Sequence, residues 1–386
     1  MIARISKKEI NDNIYIVSWG IYLFVTLWNQ SFFPLMFTGR YYTFLLVFCL
    51  LLLCFKEFIY IDFNLKSSVT AIGMTTLGIL VYIFSSHWML LAFMFFIFSA
   101  RNINIGKVIN ISLIISVFIL CVVTFCALNG VIYNEIYIDY IEGRERQYLG
   151  FAYMLFPVSI WSNITCLWIA KRKDVYTWME IILLFIINQL LFEYTNSRLV
   201  YLIVLMRIFA LIIIKSKIKG ILINAMMKKI LAYSMPVACM FAFYVTINYN
   251  PTDMYQYLIN FILEGRLELG QYAIFTYGWP MFGEAIKWVG NGLDENGVKT
   301  EGVYNYVDCA YIHFELEYGV IALLLLIWTI VKFISNMAKK NEIIIMILFA
   351  TISIQWIIDD LSIMMHYNTL LLLLGTLIPS KFKQVM

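Results

Sequence analysis

Long apolar segments, separated by short basic segments, repeat along almost the whole chain and restrict its possible folds more than any other feature. A helix needs about 20 mostly apolar residues to cross the hydrocarbon core of a bilayer. The sequence therefore predicts twelve spans, at residues 12–34, 41–60, 68–84, 88–101, 108–128, 149–170, 176–194, 199–215, 230–248, 314–335, 342–359 and 361–379. The predicted fold class is an all-α polytopic integral membrane protein, with residues 1–386 in a single membrane domain.

The composition agrees with a protein whose main solvent is lipid. Only 13% of the residues are charged and 62% are apolar, whereas a soluble domain carries about 25% charged residues. The net charge of +4 is too small to indicate a nucleic-acid partner. The seven cysteines lack a C-x-x-C spacing, so we expect no metal site or disulfide framework from them.

Lysine and arginine concentrate in alternate connecting segments, which the positive-inside rule places in the cytoplasm. If the N-terminus is cytoplasmic, every inner segment is basic and the alternation holds across all twelve predicted spans. The pattern therefore predicts a multi-pass protein with both termini cytoplasmic. The inner basic residues are Arg4, Lys7, Lys8, Lys56, Lys66, Arg101, Lys107, Lys171, Arg172, Lys173, Lys215, Lys217, Lys219, Lys228, Lys229, Lys332, Lys339, Lys340, Lys381 and Lys383.

One predicted outer loop, residues 249–313, is too long to be a simple connection between two helices. Apolar residues near its start recur at helical spacing, and its middle is rich in aromatic and turn-forming residues. Aromatic side chains are typical of the boundary between membrane and water. We therefore expect a large extracytoplasmic loop that contains short helices lying over the membrane surface.

Arginine is selected over lysine on the predicted outer side. Five of the nine arginines lie there, against two of the 19 lysines. A guanidinium offers a planar fork of donors that matches phosphate oxygens in pairs, so the bias indicates a phosphate or pyrophosphate site. The plain alternative is that these arginines are anchors at the ends of spans. That alternative is favoured for Arg40 and Arg144, whereas Arg146, Arg198 and Arg266 are the candidate anion ligands.

The segment that leads into the tenth predicted span is rich in titratable and aromatic residues. A helix that begins near Asp308 would place this carboxylate at its positive end and Tyr311 one turn further on. His313 and Glu317 would share a face at i,i+4 spacing. Asp308 is a candidate base, with a helix N-cap as its structural alternative. His313 is a second candidate base, with a purely structural role as its alternative.

Two further ionisable residues, Arg207 and His366, fall inside predicted spans. Such groups are candidates for a functional role because they are costly to place in lipid. No predicted carboxylate shares the depth of Arg207, and His366 lies closer to the outer end, near Asp359 and Asp360.

Taken in order, residues 146 to 325 resemble the O-antigen and capsular polysaccharide polymerases, the Wzy family. The similar pieces are Arg146 with Leu149, Gly150 and Phe151; Thr195, Asn196, Ser197 and Arg198; Gly265, Arg266 and Leu267; Tyr277, Gly278, Phe282 and Gly283; Val307, Asp308, Cys309, Ala310 and Tyr311; and Tyr318, Gly319, Val320 and Ile321. The chain departs from the family pattern at Glu264, where the family has Ser, and at Cys309, where it has Asn.

The resemblance implies a polymerase that needs no metal and no cofactor and works on the outer face of a bacterial cytoplasmic membrane. Its substrates would be oligosaccharide repeat units linked to undecaprenyl pyrophosphate, and its partners membrane lipid, a chain-length regulator and a flippase. Asp308 and Arg266 would be catalytic, the first as the base for the acceptor hydroxyl and the second as a ligand of the leaving pyrophosphate. The implied substrate-binding residues are Arg146, Arg198, Arg266, Tyr311 and His313.

Three other functions are compatible with much of this pattern. A lipid-linked oligosaccharide flippase would also have many spans, but such transporters often have related halves, and the sequence has no internal repeat. An O-antigen ligase would use the same donor with a different acceptor. A non-catalytic membrane scaffold would leave the bias toward outer arginines unexplained.

Overall fold

The structure is a computed structural model that describes residues 7–33, 40–59, 64–139, 143–173, 175–215, 224–294, 297–299 and 301–380. Most of these residues are helical. The helices are α1 (Lys7–Asn29), α2 (Arg40–Ile59), α3 (Leu65–Ser85), α4 (Met89–Ser99), α5 (Ile105–Leu128), α6 (Phe156–Arg172), α7 (Trp178–Thr195), α8 (Arg198–Lys215), α9 (Ala225–Ala232), α10 (Ser234–Ile247), α11 (Met254–Ile262), α12 (Arg266–Tyr277), α13 (Ala310–Tyr318), α14 (Val320–Lys339) and α15 (Ile343–Ile358). A small antiparallel hairpin joins β1 (Ile136–Asp139) to β2 (Arg144–Gln147).

Several helices have the length and apolarity that a membrane span needs. Among the described residues these are α2 from Tyr41, α3, α5, α7 and α14. Helices α9 and α10 pass the same test together, with a bend of 49° between them, which gives six candidates at most in that part of the chain. The predicted mostly helical architecture is therefore confirmed, with five or six helices among the described residues that are long and apolar enough to cross a membrane, while the predicted number of twelve spans is not confirmed.

Several predicted spans are shorter than a full span or are not α-helical in the structure. Helices α4 and α15 are apolar but shorter than a full span. The predicted last span, residues 361–379, is not an α-helix but two 3-10 segments, Leu361–Ile363 and Thr369–Leu377. The second segment is buried along most of its length against α4, so its apolar residues face protein. Arg4, Lys217, Lys219, Lys381 and Lys383, on which part of the predicted orientation depends, lie outside the described residues.

The core of the bundle is organised around α15, which contacts α6, α8, α10, α13 and α14. Its sequence is apolar on nearly every side, and most of its residues are buried. A helix that is apolar all round belongs in the interior of a bundle. Helix α15 therefore carries the residues that follow its C-terminus, Asp359 and Asp360, into the interior of the molecule.

Among its described residues, the predicted large loop, 249–313, contains the short helices α11 and α12, followed by an irregular stretch between Gly278 and Cys309. Backbone hydrogen bonds fix this stretch to the end of α13 and the start of α14. Glu284 N donates to Leu316 O at 2.9 Å, and Val320 N donates to Pro280 O at 3.0 Å. The loop is therefore a packed part of the structure, and it positions α12 and α13 next to each other.

Candidate active site

The turn between α11 and α12 places Arg266 at the first position of α12. The side-chain oxygen of Asn260 accepts hydrogen bonds from Leu267 N and Glu268 N at 3.0 and 3.3 Å, which caps the new helix from the preceding one. Glu264 and Gly265 both have left-handed backbone, with φ of 55° and 80°. Glycine adopts this conformation freely, but a glutamate there is strained, and such strain concentrates at functional positions.

The β1–β2 hairpin brings two more arginines to the same glutamate. Alternate residues of a strand point to the same face, so Arg144 and Arg146 leave β2 side by side. Arg144 Nη1 lies 3.0 Å from Glu264 Oε1 and Arg146 Nη1 lies 3.9 Å from Glu264 Oε2. Arg266 Nη1 lies 3.8 Å from the same Oε2. The three guanidinium groups and this carboxylate are named here the arginine cluster.

Both charge and burial act on the arginine cluster. Burial alone would raise the pKa of Glu264, but the nearby Arg266 and Arg146 lower it below its ordinary value. The Glu264 side chain is 28% exposed, whereas those of Arg144 and Arg266 are nearly buried. The cluster therefore holds its cations in a partly dry place, while the carboxylate of Glu264 remains partly accessible.

Arg146 also connects the hairpin to the loop before α8. Its Nε donates to Thr195 O at 3.2 Å, and its Nη2 donates to Ser197 Oγ at 3.5 Å. Arg198, a predicted anion ligand, has an exposed side chain at the first residue of α8. Arg144, for which the sequence favoured an anchoring role, lies 3.0 Å from Glu264 in the structure.

Asp308 lies next to the arginine cluster, just before α13. Its Oδ2 is 3.5 Å from Arg266 Nε, and its Oδ1 has no hydrogen-bond partner among the described residues. Burial raises the pKa of Asp308, and Glu264 adds to that effect, although Arg266 opposes it. Burial outweighs the attraction of Arg266, so this carboxyl holds a proton more strongly than an exposed aspartate does.

A second buried carboxyl, Asp360, lies near Asp308. Tyr306 OH donates a hydrogen bond to Asp360 Oδ2 at 2.5 Å. Burial raises the pKa of Asp360 to about 6; His313 opposes the shift and Asp308 adds to it. Neighbouring buried carboxyls with raised pKa values are a pattern typical of sites for acid–base chemistry. The only sequence signal for Asp360 was an acidic pair after an apolar segment.

His313 is buried and held from several sides. Its Nε2 lies 3.0 Å from Glu317 Oε2, so the predicted i,i+4 pair is present. The other oxygen of Glu317 lies 3.0 Å from His87 Nδ1. Trp288 stacks on the His313 ring with 4.8 Å between centroids. Burial alone would lower the pKa of His313, but the hydrogen bond to Glu317 raises it above its ordinary value.

Tyr311 lies away from the arginine cluster, in the core of the bundle. Its hydroxyl donates to Ser353 O at 2.9 Å, and its ring packs edge-on against Trp356. Helix α13 is buried on all sides, so the position one turn after Asp308 faces protein rather than an open site. This geometry indicates a packing role for Tyr311.

Arg207 has neutral partners in place of the carboxylate that the sequence could not supply. Its guanidinium donates to Ser162 Oγ at 2.6 Å, to Gln355 Oε1 at 2.6 Å and to Thr351 Oγ1 at 3.1 Å. Gln355 Nε2 in turn donates to Asp359 Oδ2 at 2.7 Å. A chain of hydrogen bonds therefore leads from Arg207 to the residue before Asp360.

The arrangement as a whole favours an anion with several oxygens. Three guanidinium groups lie around Glu264, and that of Arg266 also lies beside Asp308. Three cations against two carboxyls leave an excess of positive charge, and guanidinium groups can bind phosphate oxygens with paired donors. Among the described residues, no three His, Cys, Asp or Glu side chains are grouped so that they could hold a metal ion.

Comparisons with family models, with curated proteins and with solved structures find no match to this chain.

Proposed function

We propose that this protein is a polysaccharide polymerase, which joins oligosaccharide repeat units carried on undecaprenyl pyrophosphate by glycosyl transfer. The observation that carries the proposal is the convergence of Arg144, Arg146 and Arg266 on Glu264, directly beside the buried Asp308. The resemblance of residues 146 to 325 to the O-antigen and capsular polymerases supports the same reaction.

In the proposed reaction the growing chain on its lipid pyrophosphate is the donor. The bond between the sugar and the pyrophosphate breaks, and negative charge collects on the leaving group. Fixed guanidinium groups in a partly dry site stabilise such charge without reorganising. Arg146 and Arg266 are assigned to this role, together with Arg144, because all three are oriented by one carboxylate.

The acceptor is a terminal sugar hydroxyl of a second lipid-linked repeat unit. Its proton must be removed as the new glycosidic bond forms, which requires a base within hydrogen-bond reach. Asp308 fits this role because its Oδ1 has no hydrogen-bond partner among the described residues and because burial raises its pKa. A base with a higher pKa accepts a proton more readily once it is ionised.

The proposal includes a finer topology. The protein crosses the cytoplasmic membrane of a bacterium twelve times, with both termini in the cytoplasm and residues 249–313 outside. The alternation of basic segments supports this orientation. The shorter apolar segments, including α4, α15 and the C-terminal 3-10 segments, would complete the additional crossings.

The test is the length of polymer made by cells whose own copy of the gene is replaced by a variant. Arg266→Ala and Asp308→Ala should leave only single repeat units displayed outside, at unchanged protein level. Arg266→Lys keeps the charge but loses the paired donors, so it should slow chain growth about 100-fold. Arg172→Ala is the matched control, because Arg172 is an exposed arginine that pairs with Glu180 in the first turn of α7, at the opposite end of this helix from Arg146.

Full-length polymer from both alanine variants would overturn the proposal. Repeat units that accumulate inside the cell would instead indicate a flippase. Polymer of normal length that is not transferred to its final acceptor would indicate a ligase.

A further inference from the structure

A long groove lies on the outside of the helical bundle, between α3, α4, α14 and the C-terminal 3-10 segment, and is called here the α3–α14 groove. Its volume is about 520 Å³, within the range of about 300–1,000 Å³ that is typical of small-ligand sites. Most of its lining is apolar, with Leu77, Phe93 and Leu371 as examples. Leu325 and Trp328, which also line it, are exposed, so the groove is open to the surroundings.

The α3–α14 groove is cationic at one end. Lys66 in the first turn of α3 and Lys332 in the second half of α14 both line it, and both are exposed. A contact at the other end of α3 fixes the direction of α3 relative to α14. His87 follows the end of α3 and Glu317 precedes the start of α14, and His87 Nδ1 lies 3.0 Å from Glu317 Oε1. The two helices therefore run antiparallel, which places Lys66 and Lys332 at the same end.

The length of the groove matches one leaflet of a bilayer. At 1.5 Å per residue, α3 lines it from Lys66 to Leu77 over about 16 Å, and α14 lines it from Ala322 to Lys332 over about 15 Å. The hydrocarbon core of a bilayer is about 30 Å thick. Both α3 and α14 are candidate spans, so the groove covers about half of the hydrocarbon core and ends at two cations.

We propose that the α3–α14 groove binds an anionic glycerophospholipid, with its phosphate between Lys66 and Lys332 and an acyl chain along the apolar wall. An ammonium group is a good partner for phosphate as a point charge, and basic side chains near a membrane surface attract anionic lipids. None of the lining residues belongs to the arginine cluster. The lipid site is therefore separate from the proposed reaction and does not depend on it.

Lipid retention by the purified full-length protein tests the charge of the site. The protein is exchanged into nanodiscs that contain equal amounts of phosphatidylglycerol and phosphatidylcholine with the same acyl chains, and the bound lipid is measured by native mass spectrometry. Phosphatidylglycerol should be retained at least tenfold over phosphatidylcholine. Lys66→Gln with Lys332→Gln should abolish that preference, and Lys229→Gln with Lys339→Gln should keep it, because both control lysines are exposed and lie outside the groove lining.

A second variant tests the groove itself without removing charge. A Cβ added at Gly73, which lines the groove, meets no atom within 4 Å. Gly73→Phe therefore places a ring in the groove without displacing the backbone, and it should reduce retained phosphatidylglycerol at least fivefold. Gly73→Ala, which leaves the groove open, should retain it as the unchanged protein does.

Three results would overturn the proposal. One is equal retention of the two lipids by the unchanged protein. Another is a dimer of the unchanged protein that the Gly73→Phe variant no longer forms while it keeps its phosphatidylglycerol, because a second copy of the chain would then occupy the groove. The third is a Gly73→Phe variant that loses bound undecaprenyl phosphate and keeps its phosphatidylglycerol, because a polyprenyl chain would then occupy the groove.

Discussion

Glu264 is the residue on which the arginine cluster depends, since it supplies the negative charge shared by three guanidinium groups at 3.0 to 3.9 Å. Like charges repel one another unless a counter-charge lies between them, and the repulsion is stronger in a partly dry site. Its left-handed backbone, with φ of 55°, adds a conformational cost at the same residue. The strained backbone at Glu264 therefore places its carboxylate between the three arginines.

Replacing Glu264 by Gln should destabilise the folded protein by about 1–2 kcal/mol, because it leaves three neighbouring arginines without their shared counter-charge. The free energy of unfolding can be measured by titration of the purified protein with a denaturing detergent. Added pyrophosphate should restore part of the loss, since it supplies negative charge at the same place. Glu268→Gln in the first turn of α12 is the control, because Glu268 is exposed. An equal loss in both variants would contradict the role of Glu264.

Tyr306→Phe should make the stability of the protein more sensitive to pH. Burial raises the pKa of Asp360 to about 6 even though the Tyr306 hydroxyl, which donates to the charged form of Asp360, lowers it. A raised pKa means that stability is greatest at low pH and is lost as the pH rises through the folded-state pKa. Without the hydroxyl that pKa rises further, so Tyr306→Phe should cost more stability at pH 8 than at pH 5.

The matched control for this prediction is the double-mutant cycle with Asp360→Asn. With no carboxyl at residue 360, the loss caused by Tyr306→Phe should become independent of pH. A loss that varies with pH to the same extent in both backgrounds would show that another group is responsible.

The elements of the molecule were predictable where the sequence has a strong local pattern. Apolar runs of sufficient length gave α2, α3, α5, α7 and α14. The run at 369–377 is as apolar as a span, yet Gly375 packs so closely on α4 that a Cβ there would lie 2.3 Å from Ile97 O. Apolarity alone does not distinguish a segment buried in protein from one that faces lipid.

The candidate site was less predictable than the helices because its contacts are distant in sequence. The contact of Arg144 with Glu264 depends on strand β2, whose alternation places Arg144 beside Arg146, and the sequence does not predict a strand there. Tyr306 and Asp360 meet only through the fold. Asp308 is predictable because it stands next to the start of a helix, and Arg266 because arginine is selected over lysine on the predicted outer side.

The junction between α13 and α14 should be intolerant of any side chain at Gly319. This residue has φ of 92°, and a Cβ there would lie 2.4 Å from Met281 O. Gly319→Ala should therefore destabilise the protein by at least about 2 kcal/mol. Gly73→Ala, in open space within α3, should be neutral or stabilising by about 1 kcal/mol. Titration of each purified variant with a denaturing detergent measures its free energy of unfolding. A Gly319→Ala variant as stable as the unchanged protein would contradict the close contact.

At the scale of the whole molecule, the proposed reaction requires the arginine cluster to be on the outer side of the membrane. Lipid-linked repeat units are polymerised there in the proposed mechanism, and α11 leads into the cluster through the turn at Glu264 and Gly265. The basic segment at the end of α14, which includes Lys339, should lie on the opposite side. One label on each segment therefore tests the orientation on which the function depends.

Tyr255 of α11 is 80% exposed, and Lys339 at the end of α14 is also exposed, so a cysteine at either place should react with a maleimide. The naturally exposed Cys54 and Cys121 are first replaced by serine. In intact cells, a membrane-impermeant maleimide should label Tyr255→Cys within minutes and should label Lys339→Cys only after the membrane is permeabilised. The opposite result would place Arg266 and Asp308 in the cytoplasm, where the proposed donor and acceptor are absent, and the polymerase assignment would fail with the orientation.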